Sequence, residues 1–261
     1  MLPHHRQSIE RYLERIGDDV SLLAVLLGGS IAHGFAEPDS DIDLLLIVDE
    51  EEYERRRREH SLAYSVRDIC TYEGGYVDCK VIHPAFLDAV NARGSDPARY
   101  AFQDYRILLS RIDDLAETLE EITRFPLEEK GERMQRFASQ LLAWKWYYGE
   151  GIKKENAYLI HLAIQKLVLF SCRLVLNVNE TLYPYHKWLL KVTERAVAKP
   201  ADFDRGLAEL FRQPDLGFVE RFCDEVLEFA GVDTPKLDWP NRFLQDSELN
   251  WMHHEPPIDD L

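Results

Sequence analysis

GGSIAHGFAEPDSDIDLLLIVD, residues 28–49, is the stretch from which the fold is read. Just before it, SLLAVLL (21–27) has the composition of a short buried strand that runs straight into the glycines. At its end, DIDLLLIVD has the composition of a second strand. Two strands therefore flank a Gly-Ser turn, with a short helix or loop between the turn and the second strand. Side chains alternate along a strand, so Asp41 and Asp43 point the same way with Cα atoms roughly 6.5–7 Å apart. That separation lets two carboxylates share one or two hard cations. Magnesium is the natural guest, because it prefers carboxylate oxygens, waters and substrate phosphates to a closed protein cage. A pair of such ions activates an attacking oxygen and stabilises a leaving one. The glycines let the backbone come close to a triphosphate, and exposed N–H groups with the Ser30 hydroxyl offer donors to its terminal oxygens.

Two acids alone leave much of the charge of two metal ions uncompensated. In YVDCKVIH (76–83), period two places Tyr76, Asp78, Lys80 and Ile82 on one face and Val77, Cys79 and Val81 on the other. Asp78 is thus the candidate third carboxylate, as a ligand of the second metal or as the base for an attacking hydroxyl. No GxxxxGK[ST] pattern and no GxGxxG fingerprint is present, so neither a P-loop nor a dinucleotide site is supported.

On these residues, GGSIAHGFAEPDSDIDLLLIVD resembles the signature of the nucleotidyltransferase superfamily that includes DNA polymerase beta. The signature covers about twenty residues, and the implied fold about the first 110. The pairing with a helical second half is similar to the kanamycin and streptomycin adenylyltransferases. The resemblance implies that Gly29 and Ser30 hold the triphosphate, that Asp41 and Asp43 hold magnesium, and that Asp78 completes the metal site or acts as base. The implied reaction moves a nucleoside monophosphate, AMP from ATP in the first instance, to a hydroxyl of a small acceptor, an aminoglycoside-like one among the candidates, and releases pyrophosphate. His33 departs from the pattern, since many antibiotic-modifying relatives carry an arginine there.

Working outward, the 261 residues suffice for one large or two modest domains. Hydrophobic residues at 46% and aromatics at 11% exclude disorder as the main state. The net charge of −16 disfavours nonspecific binding to nucleic acid or anionic lipid. Cys70, Cys79, Cys172 and Cys223 match neither a CxxC metal site nor a compact disulfide framework, so reduced thiols in the cytoplasm are expected. MLPHHRQSIERYLERIG lacks an apolar signal core, and the early run Leu22 to Leu27 is too short to span a bilayer.

Ile9, Tyr12, Leu13 and Ile16 mark an amphipathic opening helix ended by Gly17. EEEYERRRREH reads as a solvated helix with i,i+4 ion pairs rather than a nucleic-acid patch. AYSVRDICTY and YVDCKVIH, around Glu73-Gly74-Gly75, read as a hairpin, and YRILLS (105–110) as the last strand. The predicted class is α+β: a mixed-sheet domain over 1–112, then a helical bundle over 113–261 with an extended tail, the site lying in the cleft between them. Helices are expected at 113–124, 128–149, 155–177, 185–198 and 202–231, with Leu159 to Leu176 as the central helix. The tail, with Pro235, Pro240, Pro256 and Pro257, excludes a long helix.

In LYPYHKWLLKV (182–192), Pro184 suits a first helical turn, which puts Lys187 near a helix start, a poor place for a cation unless an anion binds there. The resemblance implies a phosphate contact from a lysine of the helical domain. Lys187 is the position carried over, with Tyr185 as a stacking or hydroxyl contact. Trp144, Trp146, Tyr147 and Tyr148 read as core before acceptor pocket, and Arg173 as a buried ion pair or a phosphate contact. His4-His5 and His253-His254 lack ligand spacing. The reading from another class is a nucleotidyltransferase fold kept as an antitoxin-like binding module; the intact acids and the long helical half argue against it. A nucleic-acid polymerase is disfavoured by charge and size.

Overall fold

The structure is a computed structural model that describes residues 1–253 and 255. His254, Pro256 and Pro257 lie outside the described residues. The chain divides into two compact units, Met1–Arg124 and Phe125–Leu261.

The first unit runs α1 (Pro3–Ile16), β1 (Leu22–Leu27), α2 (Gly29–Ala32), β2 (Ile42–Val48), α3 (Glu50–Arg58), β3 (Ala63–Val66), β4 (Val77–Ile82), α4 (Pro84–Arg93), α5 (Asp96–Tyr100), β5 (Arg106–Ser110) and α6 (Leu115–Thr123). Its five strands form one mixed sheet in the order β3-β4-β2-β1-β5. β1 is antiparallel to β2 and β5, β3 is antiparallel to β4, and β2 is parallel to β4. LLAVLL and IDLLLIV are apolar almost throughout because both faces of the central strands are covered. On one face, Val25, Leu27, Leu44 and Leu46 pack with Ile9 and Tyr12 of α1. On the other, Ala24, Leu26, Leu45 and Ile47 pack with Leu87 and Val90 of α4 and with Leu115, Leu119 and Ile122 of α6. Burying each such large side chain contributes about 1.5–3 kcal/mol, which holds the ends of β2 and β4 in fixed register.

Three details differ from the sequence expectation. The first unit extends to Arg124 rather than ending at 112, because the i, i+4, i+7 face of α6 is buried on the sheet. β3 stops at Val66, so the link to β4 is a ten-residue-scale excursion (67–76) instead of a tight turn at Glu73-Gly74-Gly75. α3 is the expected solvated helix, but its pairing is denser than i,i+4 alone: Glu52 bridges both Arg55 and Arg56, at 2.7 and 2.5 Å.

The second unit consists of α7 (Lys130–Lys153), α8 (Ala157–Val178), α9 (Leu189–Glu194), α10 (Phe203–Leu210), α11 (Leu216–Phe229) and α12 (Trp239–Phe243), with short helical turns between them. α8 packs against α7, α9, α10 and α11 and is the central helix. By length and composition it would cross a membrane, yet half of its apolar window is buried within the unit. α7 runs through Gly149 and Gly151, which the sequence reading took as its end. The expected helix over 185–198 shrinks to Leu189–Glu194, and the 202–231 run is broken around Pro214, where Asp215 caps α11 by accepting from Phe218 N–H at 2.8 Å. The tail forms short turns docked on α7, where Arg136 pairs with Asp246 at 2.8 Å and Gln140 bonds Ser247 at 2.9 Å. All four cysteines are free; burial pushes the Cys172 and Cys223 thiols up to about 12.

Candidate active site

The site forms where β1 ends. Gly28 N–H donates to the Asp43 carbonyl at 3.0 Å, which ties the glycine turn to the second residue of β2. Gly29 has φ +61°, and a Cβ built there would fall 1.7 Å from Asp43 Oδ2. The Asp43 carboxylate therefore lies directly against the glycine backbone, in a space that any side chain at 29 would fill. On the neighbouring residue, a Cβ at Gly28 would meet the Tyr105 ring at 2.6 Å. Burial, and then the Asp43 charge, push the Tyr105 phenol well above its usual range and keep it neutral. The first intrahelical bond of α2 runs from Ala32 N–H to the Gly28 carbonyl at 3.3 Å, so the N–H groups of Gly29, Ser30 and Ile31 precede the helical ladder. Ser30 is buried at 7% exposure, and its Oγ has no hydrogen-bond partner among the described residues.

The acids are set by strand register. Asp43 and Asp78 are directly paired on the parallel strands β2 and β4, while Ile42 and Val77 beside them are fully buried. Asp41 stands one residue before β2, on the same side as Asp43, and all three carboxylates are half-buried. Tyr76 clamps this corner from two directions: its carbonyl accepts from Ile42 N–H at 3.0 Å, and its hydroxyl donates to Asp41 Oδ2 at 2.9 Å. Tyr72 Oη donates to the Ser40 carbonyl at 2.7 Å. The hydrogen bond to Asp41 raises the Tyr76 phenol, and the Asp41, Asp78 and Asp43 charges act in the same direction. One hydroxyl thus feels all three acids. Lys80 Nζ lies 3.7 Å from Asp78 Oδ2, an exposed pair that leaves the corner net negative. Among the described residues no three His, Cys, Asp or Glu side chains make a ready metal cage.

His33 is buried, stacks on Tyr100 at 5.0 Å between ring centroids, and places Nδ1 3.4 Å from Asp104 Oδ2. Lys187 and Tyr185 belong to the second unit. Lys187 precedes α9, in a turn rather than in a first helical turn led by Pro184, and its Nζ lies 4.9 Å from the Trp188 ring centroid. Tyr185 is exposed with φ +69°, a strained conformation for a residue with a side chain. The aromatic string divides by depth: Tyr148 is core, Trp144 and Tyr147 pack on Phe243, and Trp146 is exposed. Arg173 sits between the rings of Phe137 and Tyr183, 4.4 Å from each centroid.

Sequence reasoning missed Tyr72, Tyr76 and Tyr105 as parts of the corner. Alternation already placed Tyr76 on the face of Asp78, but its reach to Asp41 depends on the β2–β4 pairing, for which no local signal exists.

One mixed sheet thus carries a glycine turn against one strand acid, with a second acid in register on the next parallel strand. A sequence model of the nucleotidyltransferase domain matches residues 9–160, more than half of the chain, so the protein belongs to the nucleotidyltransferase domain family. No curated protein matches it in sequence. Among solved structures, a nucleotidyltransferase-like protein from Exiguobacterium sibiricum is similar at 12% identity, with 97% of this chain and 81% of that one covered and a TM-score of 0.47.

Proposed function

We propose that the chain transfers a nucleoside monophosphate, AMP from ATP in the first instance, to a hydroxyl of a small acceptor with release of pyrophosphate, and that it requires magnesium. The observation that carries this reading is the fit of Gly29 to Asp43. The Asp43 carboxylate fills the space that a side chain at 29 would take, next to a buried Ser30 Oγ that has no hydrogen-bond partner among the described residues. A triphosphate oxygen satisfies such a hydroxyl, and carboxylate oxygens are the ligands that a hard cation prefers.

Asp41 and Asp43 would hold magnesium, with Asp78 as a third ligand or as the base. Gly29 and Ser30 would hold triphosphate oxygens through backbone N–H groups and Ser30 Oγ. Lys187 and Tyr185 are the second unit's candidates for a phosphate contact and a stacking contact. Bound magnesium supplies neutralisation of the phosphate charge and orientation of the oxygens. In the reaction the acceptor oxygen bonds to the α-phosphorus, the bond from that phosphorus to the bridging oxygen breaks, and pyrophosphate leaves with the electron pair. The hydroxyl proton would pass to a carboxylate, and Asp78, in register beside Asp43 on the neighbouring parallel strand, is the candidate. The chain's part is positioning and charge placement, the main requirements of phosphoryl chemistry.

The half-buried acids favour a cationic acceptor, which is the basis for an aminoglycoside-like polyol. The net charge of −16 weighs against nucleic acid and anionic membranes as partners, and four free thiols suit the cytoplasm. The test is transfer of label from α-phosphate-labelled ATP across a panel of amino-sugar and neutral polyol acceptors. Label should move to an acceptor only with magnesium, and Asp41→Asn should abolish the transfer. Transfer that survives Asp41→Asn overturns the reading.

A further inference from the structure

A cavity of about 690 Å³ lies between α10 and α11, within the range of small-ligand pockets, about 300–1,000 Å³. Its walls come from residues between Pro200 and Phe229, so none belongs to the acid corner of the first unit. The opening follows from how the two helices meet. At Gly206 an added Cβ would fall 2.6 Å from the Phe222 ring, so the α10 backbone rests on the ring itself. Phe203 stacks on Phe222 with centroids 5.8 Å apart and planes at 21°, and Phe218 follows at 6.3 Å and 9°. Three nearly parallel rings form an aromatic shelf, with Phe203 and Phe222 buried and Phe218 half-buried. Offset stacking against such a shelf favours a planar aromatic guest.

The rim is unevenly charged. Arg205 pairs with Asp202 at 2.9 Å, and Glu209 with Arg212 at 2.9 Å. Arg221 turns toward the start of α11, its Nη1 3.4 Å from where a Cβ on Gly217 would stand. Glu225 and Glu228, three residues apart on α11, make no ion pair among the described residues, and the last turn of α11 holds no basic residue. Carboxylates there add to the negative end of the helix dipole, an arrangement that a bound cation relieves.

We propose that this pocket binds a small planar aromatic cation, with its ring on the Phe203–Phe222–Phe218 shelf and its positive group beside Glu225 and Glu228. The shelf selects flatness and the rim selects charge. The site is separate from nucleotidyl transfer and stands or falls without it.

The test is calorimetric titration of the full chain at low salt with tryptamine, its neutral analogue tryptophol, and the anionic indole-3-propionate. Tryptamine should bind about tenfold more tightly than tryptophol, the effect of pairing one cation with two carboxylates, and indole-3-propionate should bind most weakly. Glu225→Gln with Glu228→Gln, both exposed positions, should bring tryptamine to the tryptophol level and leave tryptophol unchanged. Asp41→Asn with Asp43→Asn should leave tryptamine binding intact. Equal binding of tryptamine and tryptophol, binding of neither at millimolar concentration, or loss of tryptamine binding in the Asp41 and Asp43 variant would each overturn the proposal.

Discussion

The acid corner and the 183–191 segment are both candidate phosphate contacts, and they are built in opposite ways. At the corner, strained geometry is given to a glycine: Gly29 takes φ +61° at no steric cost, and the acids are fixed by strand register between buried Ile42 and Val77. In the helical unit, strained geometry falls on Tyr185, at φ +69° and exposed, and Lys187 rests on Trp188 in a turn ahead of the six-residue α9. A position set by a buried sheet is rigid before any ligand arrives. A position set by an exposed turn is held by local contacts and adapts to what binds. Preorganised groups lose less on substitution of their neighbours only if the scaffold stays intact, which makes the contrast testable.

The largest effect is expected for Gly29→Ala. The added methyl overlaps Asp43 Oδ2 and the left-handed backbone becomes costly, by about 1–2 kcal/mol, which urea unfolding will show. Displacement of the carboxylate by an ångström should lower transfer about a hundredfold. Near wild-type transfer would show that the corner tolerates a side chain, and the contrast with Tyr185 would collapse. Tyr76→Phe keeps the ring and removes only the hydrogen bond to Asp41. It should weaken magnesium-dependent nucleotide binding about three- to tenfold with an unchanged melting temperature; an unchanged affinity would mean that Asp41 needs no clamp. Lys187→Ala should raise the KM for the triphosphate about two- to fivefold and spare kcat, as an exposed charge contact does. A loss as large as that of Gly29→Ala would make the exposed turn as critical as the sheet.

The smallest effect lies away from both regions. Hydrogen bonds from Arg55, opposed by partial burial and reinforced by Arg56, hold the Glu52 carboxyl at about 2 instead of 4.5. A depressed carboxyl stabilises the fold above its unfolded value and loses that contribution as pH falls through its folded one. Glu52→Gln should therefore lower stability slightly at neutrality and flatten the profile between about pH 4.5 and 2, so that the variant and the wild type converge at the acid end, as read by thermal melts across pH.

The same contrast explains what was legible in the sequence. Asp41, Asp43 and Asp78 could be placed on faces from period-two alternation alone, and the glycines before Ser30 announced a close approach. The identity of the approaching group was hidden, because Asp43 meets Gly29 only through the β1–β2 pairing. The mixed sheet followed by helices was readable from the change of period. The unit boundary was not, since a helix of period 3.6 such as α6 looks the same whether its face meets a sheet or a bundle. The glycines at 149 and 151 misled for a related reason: packing against α8 outweighs the modest helix penalty of glycine. For Lys187, the helix begins later than Pro184 suggests, at Leu189, so the lysine stands just before the N-cap Trp188 rather than inside the first turn.

The most direct measurement is calorimetric binding of a non-hydrolysable ATP analogue, with and without magnesium, to the wild type and to Asp43→Asn. The account predicts binding that depends on magnesium in the wild type and is lost in the variant. Binding of equal strength in the variant, or no binding of any nucleoside triphosphate to the wild type, would contradict it.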